Sequence, residues 1–185
     1  RQERYSMLNE ILEIRRNVHQ PLKWEDYSST NIRDNTNAFA HAIGSTNVSD
    51  PRYYRLGMIS GKKKLKQEYF SLEEVKDLFL SDAHVLDLDV EEIIPAGGDL
   101  SKYSLLNHIS KIELQNNQHI VVLFVKIYED GNKERIRDFH FLRYDKEKGW
   151  SEKRLRNNVY FFEDISREWP SCWNDRTVGA FKITR

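Results

Sequence analysis

Six consecutive apolar residues, Ile120-Val121-Val122-Leu123-Phe124-Val125, constrain this chain more than any other stretch. A β-branched, apolar run of this kind reads as a central strand, the type that is buried on both faces. The residues after it are also β-like. Asp130-Gly131-Asn132 is a strong turn signal, and Ile136 to Tyr144 forms a strand rich in aromatics. Asp145 to Gly149 turns the chain and Trp150 to Leu155 returns. Val159 to Phe162 and Thr177 to Ile183 are further strand candidates.

Before that run the periodicity is helical. Tyr5, Leu8 and Leu12, with Ile11 and Ile14 as secondary members, recur at helical spacing within residues 1–17, which predicts an amphipathic helix packed on the rest of the chain or offered to a partner. Residues 20–36 and 45–70 read as loop and turn. Between them, Thr36 to Gly44 predicts a short helix with a signal at each end. Thr36 or Asn37 can cap its first N–H groups, and Gly44 can take the left-handed conformation that ends it. The alanines at 38, 40 and 42 let another layer approach closely. Ser71-Leu72-Glu73-Glu74 is a capping box ahead of Leu72, Val75, Leu78 and Phe79, which share one helical face. Pro95 to Asp99 breaks the chain, and a helix follows to about Ile109. Helices first and an antiparallel meander after predict an α+β fold, with a helical arm over residues 1–30 and the main domain over 31–185.

Charge and composition narrow the function. The 185 residues carry 29 Lys plus Arg and 29 Asp plus Glu, so the formal charge is zero. A nucleic-acid binder normally needs a basic excess to displace counterions, and Gly61 to Lys66 is the one basic cluster. No apolar stretch approaches the roughly 20 residues of a membrane-spanning helix. Cys172 is the single cysteine, which excludes an internal disulfide and allows a reducing compartment; the cytoplasm is favoured over secretion as a mature fragment. The chain opens on Arg1 without a signal-peptide pattern, as a trimmed or mature piece would. Its six histidines, at 19, 41, 84, 108, 119 and 140, are scattered with no His-Glu-x-x-His arrangement, so no metal site and no cofactor is expected.

His140 is the residue to weigh for chemistry. On a strand it shares a face with Asp138, Leu142 and Tyr144, while Phe139 and Phe141 point the other way. The plain reading is a half-buried histidine satisfied by a backbone carbonyl. A hairpin count offers another. If Asp145 to Gly149 closes the turn, Tyr144 lies opposite Trp150 and Leu142 opposite Glu152. His140 is then diagonal to Glu152 on one face, about 7–8 Å away at the backbone and within side-chain reach. A carboxylate there can fix the imidazole tautomer, which is what a catalytic histidine requires. A slip of one residue would abolish the pairing. Cys172, flanked by bulky aromatics in Trp169-Pro170-Ser171-Cys172-Trp173, reads as a structural thiol, because no capped helix start follows to activate it.

Several short motifs, in order, resemble a group of bacterial papain-like cysteine peptidases. Asn37-Ala38-Phe39-Ala40-His41-Ala42-Ile43-Gly44 is similar to the group's Asn-Cys-Tyr-Ala-Tyr-Ala-Leu-Gly helix. Asp138-Phe139-His140-Phe141-Leu142-Arg143 resembles its Asp-Tyr-His-Phe-Tyr-Arg strand. Gly149-Trp150-Ser151-Glu152-Lys153 resembles its Gly-x-Trp-Ser-His-Lys return strand, and Val178-Gly179-Ala180-Phe181 its closing strand. The likeness spans about residues 31–185.

The resemblance implies a papain-like fold and a cysteine peptidase or amidohydrolase acting on a peptide or protein. Position 38 would carry the nucleophile and His140 the base, with Glu152 in the orienting place where the group has histidine. Asn31, Asn35 and Asn37 are amide side chains that can supply a donor to the oxyanion; capping is an equal reading of Asn37. Because position 38 is alanine, the chain as written has no nucleophile. Either Ala38 replaces a cysteine by design, or the chain is a natural pseudoenzyme that binds through the same cleft. A third reading is a plain interaction domain whose contact surfaces are the helix at 1–17 and the basic loop at 61–66. Should Glu152 point to solvent, Asn157, Asn158 and Asp164 become the orienting candidates.

Overall fold

The apolar run is covered on both faces because two separate cores use alternate residues of it. Val121, Leu123 and Val125 face one cluster of buried side chains, and Ile120, Val122 and Phe124 face the other. A strand's period of two therefore builds both cores at once. The computed structural model describes residues 2–62, 71–170 and 175–185. Residues 63–66 of the basic cluster, Cys172 and the side chain of Tyr5 lie outside the described residues.

The elements in chain order are α1 (Gln2–Val18), α2 (Thr30–Asn35), α3 (Ala38–Ile43), α4 (Leu72–Val85), β1 (Asp89–Ile93), α5 (Lys102–Ile109), β2 (Gln118–Asp130), β3 (Lys133–Asp145), β4 (Gly149–Glu152), β5 (Tyr160–Phe161), α6 (Ile165–Glu168) and β6 (Asp175–Thr184). Short 3₁₀ turns occur at Trp24–Ser28, Pro51–Tyr53 and Ala96–Gly98. The fold is α+β, with the helices largely N-terminal and an antiparallel sheet largely C-terminal. Sheet order is β1-β6-β2-β3-β4-β5, with antiparallel pairing throughout. The β2–β3 hairpin turns at Gly131, whose φ of 64° suits a residue without Cβ.

The larger core lies between α1, α3, α4 and one sheet face. Phe79 stacks on Phe181 with ring centroids 5.1 Å apart, and Phe39 meets Phe141 at 6.1 Å. Each such side chain contributes about 2–3 kcal/mol by leaving water. Ala38, Ala40 and Ala42 are all buried, so α3 lies close against β3 as its small residues predict. The smaller core joins α5, Trp169 and the opposite sheet face.

Several expectations need correction. Residues 20–36 are not simply loop; they hold the turn at Trp24–Ser28 and α2. Helix α1 buries Ile14 and Val18, with Ile11 packed alongside, while Leu8 and Leu12 are exposed. The 11-14-18 row is itself a helical stripe, and Val18, just past the expected end, completes it. The described part of the turn-rich region, to residue 62, buries Tyr53, Tyr54, Leu56 and Ile59. Asp82 of α4 holds that segment, accepting from the N–H groups of Gly57 and Ser60 at 2.7 and 2.8 Å. Strand β1 carries three acidic residues and no clear alternation, so it was not expected. The return strand stops at Glu152 instead of running to Leu155.

Candidate active site

The site is assembled on α3, β3 and the end of β4. Helix α3 begins where expected. The Asn37 side-chain oxygen accepts from Ala40 N–H at 3.0 Å, and its amide donates to the Tyr54 carbonyl at 2.7 Å. Gly44 ends the helix with φ 76°. Asn37 is thus a cap fastened to the neighbouring loop, and it sets the helix start that carries Ala38.

Ala38 and His140 line one cavity of about 450 Å³, together with Asn37, Phe139, Lys153 and Trp169. His140 sits on β3 opposite Phe124, on the face of the smaller core. The hairpin register is the one counted from the sequence, with Tyr144 opposite Trp150. Glu152, buried at the end of β4, accepts from His140 Nε2 at 2.6 Å. A carboxylate only accepts, so Nε2 carries the proton and the neutral ring keeps its lone pair on Nδ1. Among the described residues Nδ1 makes no hydrogen bond. The second Glu152 oxygen takes the Arg154 guanidinium at 3.0 Å. The partner of His140 is therefore a carboxylate, and the plain expectation of a backbone carbonyl is corrected.

The other candidates fall in three places. Asn31 and Asn35 bond each other on the exposed side of α2, at 3.0 Å, and neither lines the cavity. Asn157 and Asn158 line a second cavity of about 630 Å³. That cavity adjoins the first, sharing Arg154 and Glu168 with it; Glu152 lines the second and His140 the first. Asp164 caps α6 through Ser166 N–H and lines neither cavity. Among the described residues no three His, Cys, Asp or Glu side chains converge as a metal ion requires.

Four polar residues that fasten α3 to the sheet were missed. His119 of β2 donates to the Ala42 carbonyl at 2.6 Å, and Arg143 of β3 to the His41 carbonyl at 2.8 Å. Arg143 also takes both oxygens of Asp145 and lies over the Trp24 ring. His41 itself is buried, with Nε2 2.9 Å from the Ser151 hydroxyl. Burial holds both histidines neutral, pushing His119 down to about 3 and His41 well below the ordinary range. Lys153 is fully buried and donates to the carbonyls of Arg33 and Thr36, each at 2.7 Å. Its one sequence signal was a place inside the Trp-Ser-Glu-Lys motif. No family model, curated protein or solved structure matches the chain.

Proposed function

We propose that this chain has the scaffold of a papain-like cysteine amidohydrolase, with peptides or proteins as substrates and position 38 as the seat of the nucleophile. One observation carries the reading: Ala38 and His140 line a single cavity, and the outer nitrogen of His140 is held by a buried carboxylate. The cavity volume falls within the usual range for ligand sites, about 300–1,000 Å³.

The chemistry assigned to the Ala38→Cys form follows from that arrangement. The thiol gives its proton to His140 Nδ1, and Glu152 steadies the imidazolium. The thiolate attacks the carbonyl carbon of an amide. The C–N bond breaks as His140 returns the proton to the departing nitrogen. Water, deprotonated by His140, hydrolyses the thioester, releasing a carboxylic acid and restoring the thiol. The developing oxyanion is assigned to the N–H groups of the first α3 turn that the Asn37 cap does not take up. With alanine at position 38 the same cavity binds an amide substrate and leaves it uncut.

The test uses peptide and protein digests read by mass spectrometry. The Ala38→Cys protein is expected to cut defined amide bonds, and Ala38→Cys/His140→Ala to lose that cleavage. Absence of cleavage, together with an introduced thiol no more reactive than Cys172, would overturn the reading.

A further inference from the structure

We propose that Lys153 is a positioning residue of this site: its ammonium fixes the backbone that presents position 38, and its charge favours an anion placed there. The inference rests on the hydrolase reading and adds a residue to it.

Three ammonium protons meet three backbone carbonyls. Arg33 lies in the last turn of α2, Thr36 lies two residues before Ala38, and Leu155 follows β4. Carbonyls at a helix end have no intrahelical partner and favour a cation. The buried amine thus ties the end of α2, the entry to α3 and the exit from β4 at one point. Glu152, which holds His140, is its immediate chain neighbour. The wall bearing position 38 and the wall bearing the imidazole are fastened together through this side chain. A neutral apolar residue of the same length would fill the space and leave those carbonyls unpaired.

The tie is also a charge. Among the described residues no ion pair joins Lys153 to a carboxylate. Arg33 and Asp34 of α2 act on it and are paired to each other at 3.1 Å. Around the shared cavity stand Lys126 of β2, Asp138 and His140 of β3, Arg154, and Glu168 of α6. Glu152 is taken up by His140 and Arg154, and His41 on α3 is neutral. A buried cation at the cavity wall stabilises a thiolate more than a solvated one would, because the low dielectric screens it less. Burial pushes Lys153 down to about 8, so the charge is present at neutral pH and fades above it.

The experiment titrates Lys153 by NMR on protein labelled in its lysine side chains, comparing the chain with its Ala38→Cys form. Neither protein alters Lys153, so folding of a lysine variant is not at issue. Formation of the thiolate is expected to raise the Lys153 midpoint by about one pKa unit. By reciprocity, Lys153→Met in the Ala38→Cys background raises the thiol pKa equally, leaving about tenfold less thiolate at any pH below both midpoints, and Lys153→Arg restores most of it. Identical Lys153 titrations, beside a thiol that is still acidic and dependent on His140, would overturn the inference and leave the hydrolase reading intact. A thiol that titrates near the ordinary value of about 8.5 whether or not His140 is present would sink both.

Discussion

The two ends of α3 are held by different means. At the C-terminal end, His119 and Arg143 reach from neighbouring strands to the last carbonyls, and the Arg143–Asp145 pair closes around them. At the N-terminal end, Asn37 and Lys153 fasten the backbone, and the helix start borders the cavity that His140 also lines. The closed end contributes stability. The open end keeps a side chain at position 38 in a fixed place at the cavity wall. Rigidity supplied by such backbone ties is what a reactive position requires, because a misplacement of about 1 Å can cost 100-fold in rate.

Perturbing the closed end has the largest expected effect. The folded His119 binds its proton only near pH 3, whereas an unfolded histidine binds one near 6.5. Its stabilising contribution is complete above about 6.5 and is lost as pH falls toward about 3, on the order of 4 kcal/mol. Urea denaturation across that range should show the slope, and His119→Gln, which can still donate to Ala42, should flatten it. Arg143→Met comes next, at about 3 kcal/mol, because Asp145 and the His41 carbonyl lose their partner. Urea midpoints of the two proteins measure it.

Perturbing the open end should affect chemistry more than folding. In the Ala38→Cys form, Glu152→Gln is expected to reduce turnover on the order of 100-fold, since an amide can favour the wrong tautomer and stabilises imidazolium less well. Its urea midpoint should change much less than that of Arg143→Met; a reversed ranking would break the comparison. The smallest effect is Asn37→Ala, at about 1 kcal/mol for a lost cap. A thermal melt detects it.

The same contrast governs what was legible in the sequence. Local signals were clear: the Asn37 cap, the Gly44 stop, the Ser71 capping box and the alternating strands are written in short runs. The His140–Glu152 contact was also within reach, because a hairpin register follows from turn length. Contacts across distant segments left no local trace. Lys153 reaches Arg33 and Thr36 from more than a hundred positions away, and His119 reaches Ala42 across 77. Such polar ties depend on how layers stack, which periodicity does not record. Strand β1 was hidden for a related reason: its pairing with β6 places an acidic edge strand that carries little apolar pattern.

The most direct measurement is the pH dependence of alkylation of the thiol introduced by Ala38→Cys, resolved by peptide mapping with Cys172 as internal reference. A thiol served by His140 should react faster than Cys172 at neutral pH, with a midpoint below about 8.5 that moves up in the His140→Ala background. An alkylation profile centred near about 8.5 and unchanged by His140→Ala would contradict the pairing of position 38 with the imidazole.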